Sequence, residues 1–565
     1  MSLTGTLQIA HNALIANQVG LQVVGNNLAN ANTPDYVRQE PVFTPAPAQR
    51  QGGLLLGLGV QVTAVVQKID LFLEERLRGS TSDVSGSEIE ETAFRELESI
   101  LGELSDTDLS TQLTSFFNSL HDVLNEPSSA ATRNLVVLQG DTLAQSIRQT
   151  YDRVLAVKED FNNRIGQTAT DINRLTSSIA KLNKQIVTVE GGSINPSDAV
   201  GLRDERLRAL RQLSELVGIK SVEQENGSVT VFVNGEFLVA EGQSREIVAE
   251  PRNRQSDPRL ELLFKDTNSP ITLLGGEAAG LIAARDTHLG GFLDRLDTFT
   301  KDLVFEFNKV HAGGQGLAGY SQTTSEFAVA NVKAPLDAAG LPFTPENGSF
   351  TVLVKNKQTG IVEETKIPVR LQGFDDDTTL ESLVADLNAV NGVSATITPD
   401  RKLKLVADSS DAEFSFGPDS SGALAALGIN TFFSGSGALD VKIRAEVKGN
   451  PSLVAASQGG AGKDTKTAEL LAGLYERKLV SRDGASLADG YQRLLADVTQ
   501  QSANVIAVAD GFRTFKFTLQ GQKLGQSGVN VDEEAVNMMQ YQHAFQANAK
   551  LIQTISELLD LLVSI

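Results

Sequence analysis

Apolar residues recur alternately four and three positions apart over long stretches of this chain, and two apart over one shorter stretch. The first seam, Leu3, Leu7, Ala10, Leu14, Asn17, Leu21, Val24 and Leu28, predicts an amphipathic helix that lies against another helix. It ends at Asn32-Thr33-Pro34-Asp35-Tyr36, where Pro34 moves Thr33 out of helical dihedrals. Pro41, Pro45 and Pro47 then hold the chain extended, and Gly52 to Val66 reads as a short hairpin or arm. Helix resumes at Leu71 to Arg78 and continues toward Asn125, with Leu97, Leu101, Leu104, Leu109, Leu113, Phe116 and Leu120 in phase. The longest seam runs from Ile147 to Val189, broken only by Lys158 and Thr168, and predicts a coiled-coil-like rod. Ile219 to Val248 switches to period two around Asn226-Gly227 and Asn234-Gly235, which predicts a small β-meander. Ala279 to His311 is helical again.

Between Ala318 and Leu439 the seams stop. Short strands are expected at Phe350 to Lys355, Thr365 to Leu371, Val393 to Thr398 and Lys402 to Ala407, with a helix at Thr379 to Val390. Ser434-Gly435-Ser436-Gly437 reads as a flexible exit linker. Seams return from Leu487 to Leu519. A final helix, capped by Asp532, carries Tyr541, Ala544, Asn548, Leu551, Ile555, Leu558, Leu562 and Ile565 beside a second line, Met538, Phe545, Ile552 and Leu559. The expected fold is mainly α with β-rich insertions, elongated and multi-domain. Paired terminal coiled-coil-like helices (1–75 plus 525–565) would join a long helical bundle (76–317 plus 440–524, with the meander at 219–275), which carries an inserted α+β outer domain (318–439). Such seams cannot bury their apolar faces alone. Leu3, Leu7, Leu14, Leu21 and Leu28 on the first helix, with Met538, Phe545, Leu551, Ile552, Ile555, Leu558, Leu559 and Leu562 on the last, are therefore the expected assembly interface. The terminal helices are expected to be mobile in a free monomer and to order on assembly.

Charge and composition narrow the function. The 565 residues carry 49 Lys+Arg against 70 Asp+Glu, a net charge of −21, which argues against nucleic-acid and membrane partners. The absence of Cys excludes disulfides and thiolate sites. Met1 to Gly20 holds neither a basic cluster nor a continuous apolar block, so no cleaved signal peptide is expected. No apolar run approaches the ~20 residues that span a bilayer. The five histidines lie apart, without metal-ligand spacing, and read as partly exposed helical residues. Asp375-Asp376-Asp377 places Leu380 where a calcium loop needs Gly and Asp386 where it needs Glu, so it reads as a solvated turn. Neither glycine-rich stretch has phosphate-loop spacing, and no nucleophile elbow occurs. No catalytic, metal or cofactor site is expected.

Asn26-Asn27-Leu28-Ala29-Asn30-Ala31-Asn32-Thr33-Pro34-Asp35-Tyr36-Val37-Arg38-Gln39 resembles the N-terminal signature of flagellar rod, hook and hook-associated proteins, with Asp35 where that family usually has Gly. The stretch from Gly528 through Asp532-Glu533-Glu534 and Tyr541 to Leu559 resembles the matching C-terminal signature. Lys68-Ile69-Asp70-Leu71-Phe72-Leu73 and Phe307-Asn308-Lys309-Val310-His311 are similar to the hook-associated protein 1 family. The resemblance implies a non-enzymatic subunit that joins hook to filament. Its expected partners are hook protein, other hook-associated proteins, further copies of itself in a ring, and a cytoplasmic export chaperone at the C-terminal helix. It implies an extracellular place on the flagellum, reached through type III export. The motif residues expected to matter are Asn26, Asn27, Asn30, Thr33, Pro34, Tyr36, Arg38 and Gln39. The alternatives are a hook or distal rod protein, or an adhesin-like module carried on the inserted domain.

Overall fold

The computed structural model describes the chain except residues 1–2, 34–35, 52–53, 103–107, 192–198, 255–256, 480–481, 483 and 564–565, so the Pro34-Asp35 turn lies outside the described residues. The helices are α1 Leu3–Ala29, α2 Leu71–Leu101, α3 Leu109–Asn125, α4 Ala130–Val189, α5 Val200–Leu216, α6 Gly276–Ala283 and α7 Gly290–Ala312. They continue with α8 Leu380–Asn388, α9 Ala423–Leu427, α10 Ala445–Gly449, α11 Lys466–Ala472, α12 Leu487–Ser527 and α13 Val531–Val563. The fold is mainly helical, with small antiparallel sheets of two to four strands. The chain forms two compact units. One comprises Met1–Ala93, Glu159–Thr287 and Ala503–Ile565; the other comprises Phe94–Lys158 and His288–Ser502.

In the first unit α1 packs along α13. The buried residues of α1 are small ones, Ala10, Ala16, Gly20, Val23, Val24 and Asn27, of which Ala10 and Val24 belong to the predicted seam. Gly20 lets the Tyr541 ring come close: a Cβ at this position would stand 2.8 Å from it and the ring would have to move. A hairpin of Gln39–Pro45 with Val60–Gln67 follows α1. Asp70 then starts α2, its Oδ1 accepting from the backbone N–H groups of Phe72 (3.0 Å) and Leu73 (3.1 Å).

The 60 residues of α4 span about 90 Å, and the seam from Ile147 to Ile186 is largely buried. Within the first unit this helix is tied to strands through amides. Asn183 exchanges two hydrogen bonds with the backbone of Val229, Asn173 does the same with Ile247, and Asn162 accepts from Leu260 N. A side-chain amide presents a donor and an acceptor as a peptide does, so it can act as one residue of a neighbouring strand. The predicted meander is a four-stranded sheet from Lys220 to Ser244, its strands paired in sequence order. Asn234 (φ 44°) and Gly235 (φ 86°) make the tight turn between Val233 and Glu236, where a right-handed sheet twist requires positive φ at both positions.

In the second unit Phe116, Phe117, Phe307, Phe432 and Phe433 form one aromatic cluster with centroids 4.9 to 6.4 Å apart. Two expectations are corrected here. Ser434 to Gly437 is not a flexible linker. Ser434 is buried in a short strand pairing with Lys442–Ile443, and Ala438 N donates to Asp297 Oδ1 at 2.8 Å. Nor is His311 partly exposed: it is fully buried. Its Nδ1 bonds Asn430 O (2.8 Å), and its Nε2 accepts from Ala455 N (3.0 Å). Burial, the first cause, and the nearby Arg133 and Arg444 charges hold its pKa down at about 4, so the ring is neutral and bridges two loops. Asn308 likewise donates to Phe433 O and accepts from the backbone of Phe432 and Phe433. The turn at Asp375 and Asp376 is exposed as expected, while Asp377 is buried and accepts from Gln372 N and Gly373 N at 2.8 Å.

Candidate assembly site

The first helix finishes in a run of asparagines, residues that compete with helix by bonding their own backbone. Asn30 Nδ2 donates to Asn26 O and Asn26 Oδ1, both at 3.0 Å, and Thr33 Oγ1 donates to Asn30 Oδ1 at 3.2 Å. This local knot ends α1 and turns the chain back toward Gln39.

Asn27 faces inward and is buried. Its Oδ1 accepts from Tyr36 OH (2.8 Å) and Gln39 N (3.0 Å). Its Nδ2 donates to Gln39 O (2.9 Å) and to Glu534 Oε2 (3.1 Å). All four bonding positions of the amide are thus filled, three by the N-terminal motif and one by the first turn of α13. Arg38 completes the join. Its backbone N donates to Ser527 O (3.1 Å), its Nη1 reaches Glu533 (2.9 Å) and its Nη2 reaches the buried Glu534 (2.7 Å). Asn26 touches Gln39 side chain to side chain at 3.3 Å. Burial, then the charges of Asp204 and Glu534, push the Tyr36 phenol well above its usual pKa, so it remains a donor to Asn27.

The start of α13 supplies the other half. Asn530, not Asp532, is its cap: Asn530 Oδ1 accepts from Asp532 N (3.0 Å) and Glu533 N (3.4 Å). Asp532, Glu533 and Glu534 occupy the first turn, where the helix dipole favours negative charge. The acidic triplet therefore stabilises its own helix and serves as the receptor for Arg38. Asp204, on α5, accepts from Gln67 at the foot of the hairpin, and burial pushes its pKa up to about 6.

The apolar seams sit beyond this clamp. Leu3, Leu7, Leu14 and Leu21 are half-buried and Leu28 is exposed. On α13 Ile555 is buried; Met538, Phe545, Ile552 and Leu559 are half-buried; Leu551, Leu558 and Leu562 are exposed. Ile15, Met539, Leu561 and Val563 add to the uncovered surface. Pro34 is outside the described residues. Sequence reasoning missed Ser527, Glu533 and Glu534 as partners of the N-terminal motif, and Asn530 as the cap of α13. The available signal was an acidic triplet at a helix start opposite a motif containing Arg. Among the described residues no group of three or more His, Asp or Glu could hold a metal, and no helix is long and apolar enough to cross a membrane.

Comparison with known proteins agrees with these features. The helical domain of the flagellar hook-associated protein FlgK matches residues 94–327, the flagella basal body rod protein family matches 7–36, and the C-terminal region of the basal body rod FlgEFG proteins matches 520–565. Flagellar hook-associated protein 1 of Escherichia coli strain K12 is 25% identical over 98% of each chain. The same-named proteins of Salmonella typhimurium, 24% identical over 98% of this chain and 99% of theirs, and of Bacillus subtilis, 25% identical over 99% and 97%, are similar end to end. The solved flagellar hook junction protein FlgK from Burkholderia pseudomallei shares the fold, with a TM-score of 0.50 at 16% identity over 80% of this chain and 99% of that one. In its terminal motifs, its helical middle and along its full length the chain is similar to the flagellar hook-associated protein 1 family.

Proposed function

We propose that this chain is a structural adaptor of the bacterial flagellum that joins hook to filament by polymerising at the distal hook end through its terminal helices. The observation that carries this reading is the clamp. Asn27, Tyr36, Arg38 and Gln39 of one terminal motif bind Ser527, Glu533 and Glu534 of the other, and the paired helices beyond them keep apolar side chains uncovered. A helix pair fixed at its root with open apolar flanks suits packing among copies, since each Leu or Ile so buried contributes roughly 1.5–3 kcal/mol. The paired ends, 1–75 plus 525–565, would form the inner layer. The helical bundle, 76–317 plus 440–524, would form the middle, and 318–439 would be an outer domain. The remaining partners would be hook protein, other hook-associated proteins and, before export, a chaperone on α13. A structural role needs no catalysis.

Leu562→Glu tests the reading. Leu562 is 64% exposed in the single chain, so the monomer should melt within about 0.5 kcal/mol of wild type. In the assembly the new charge would be buried without a partner, and attachment to hooks should be lost. Unchanged attachment would show that the end of α13 is no interface.

A further inference from the structure

In the first unit α2, α6 and α12 wall a cavity of about 420 Å³. α2 and α6 meet there backbone to backbone: a Cβ at Gly280 would stand 2.4 Å from Gly86 O, so the contact requires a residue without a side chain. That close approach accounts for Gly86 but not for the polar groups beside it. Ser82 is 3% exposed, and its hydroxyl has no hydrogen-bond partner among the described residues. Other hydroxyls on the same helix bond a carbonyl one turn back. Ser87 Oγ donates to Val84 O (3.0 Å) and Thr92 Oγ1 to Glu88 O (2.7 Å). A buried hydroxyl left unpaired is unfavourable until a partner reaches it.

Asp83 follows at the rim. Solvent reaches it, yet shielding by the surrounding walls pushes its pKa up, and among the described residues no Lys, Arg or His pairs with it. Farther along α2 the acids are satisfied, since Arg513 reaches both Glu88 (3.2 Å) and Glu91. Glu90, the other charged residue in the wall, has a partner of its own. No Lys or Arg is among the described residues that line the cavity. The remaining walls are apolar, with Ala279 and Ala283 from α6 and Val505, Val508 and Phe512 from α12. At the lip Leu274 and Val508 are 70% and 51% exposed. One side of the cavity therefore offers a carboxylate and a hydroxyl without partners, and the other an aliphatic surface.

We propose that this cavity receives a Lys or Arg side chain from a partner protein, whose adjacent apolar residue covers Leu274 and Val508. A long cationic side chain matches both kinds of wall. Its methylene stem lies on Ala283, Val508 and Phe512, while its head reaches Asp83 and donates to Ser82. Charge complementarity selects the occupant: both charged wall residues are acidic. Another copy of this chain, at −21 overall, is repelled as a body, so the partner is a different protein with a basic surface. The site uses none of the clamp residues; only the identity of the occupant rests on the adaptor reading above.

The chain has no Cys, so Val508→Cys puts a single thiol on the lip of the cavity in the full chain. Disulfide exchange against 6-aminohexanethiol, 6-mercaptohexanol and 6-mercaptohexanoate, read by intact mass, reports what the cavity prefers. The ammonium should be captured about tenfold more than the alcohol, and the carboxylate least. Asp83→Asn, at an exposed position, should cut that preference to within about twofold. Phe517→Cys, exposed on the same helix and outside the cavity, should show no preference beyond about twofold. Equal capture of all three thiols, or a preference that survives Asp83→Asn or appears at 517, would overturn the site. A photo-crosslinker at Leu274 in the full chain attached to isolated hooks then identifies the occupant. The expected adduct is to a different protein, through a peptide with Lys or Arg beside an apolar residue, and it should be lost in Asp83→Asn. A copy–copy adduct, a peptide without a cation, or no adduct on hooks that carry the chain would overturn the docking. Hooks that carry no chain would overturn the adaptor reading instead, and the exchange assay still decides the site.

Discussion

Replacing Glu534 by Gln removes one charge from the centre of the clamp and keeps its shape. In the wild type this carboxylate is buried, 2.7 Å from Arg38 Nη2 and 3.1 Å from Asn27 Nδ2. Breaking a buried pair by neutralising one partner costs about 3–5 kcal/mol when the other charge is left alone. Arg38 is not left alone, because Glu533 still reaches its Nη1 at 2.9 Å. Glu533 is largely exposed, so water screens that contact and it recovers only part of the loss. The expected net cost is about 2–3 kcal/mol, localised where α13 meets Arg38. Hydrogen exchange on the full chain reads it directly: at 1.4 kcal/mol per tenfold, amides in the first turns of α13 should exchange roughly 30–150 times faster. Peptides from the second unit should not change. Arg38→Met should reproduce the effect, and the double variant should lose little more, since both remove one interaction. Exchange within twofold of wild type at the start of α13 would mean that the clamp does not hold the helix.

Two further predictions follow from buried titratable groups. His311 has a folded pKa of about 4 against an ordinary 6.5, so its contribution is fully present above pH 6.5 and is lost as pH falls from there toward 4. Denaturation of the wild type should weaken across that window by up to about 3 kcal/mol, and His311→Gln should flatten this slope; an unchanged slope would show the ring is not buried neutral. Asp204, raised to about 6, has the opposite sign: its burial favours the protonated form, and stability declines as pH rises from 3.8 through 6. Asp204→Asn should therefore stabilise the chain at pH 8 by about 1–2 kcal/mol, allowing for partial exposure, and gain nothing at pH 4; equal effects at both pH values would contradict the assignment.

Much of the fold was legible because the signal is periodic. A seam such as Ile147 to Val189 has one helical interpretation, and Asn234-Gly235 between alternating valines has one turn that fits it. What stayed hidden was specified by single polar atoms. Asn162, Asn173 and Asn183 stand beside the apolar seam without marking themselves in the pattern, yet each presents its amide to a strand distant in sequence. His311 looked like an ordinary helical residue because nothing near it in sequence shows Asn430 or Ala455 arriving on either side. The residues of α1 buried within the chain are its smaller ones, and the close approach of the Tyr541 ring to Gly20 comes from a helix more than 500 residues away in sequence, which no local pattern signals. The clamp was legible in halves: each motif stood out alone, and only folding shows that Asn27 and Arg38 are completed by Glu533 and Glu534.

The adaptor reading is tested most directly by electron microscopy of isolated hooks incubated with the purified full chain. Added density should appear at one end of each hook, limited in length, and should be lost with Leu562→Glu. Growth of long tubes, binding along the hook's sides, or bare hook ends would contradict it.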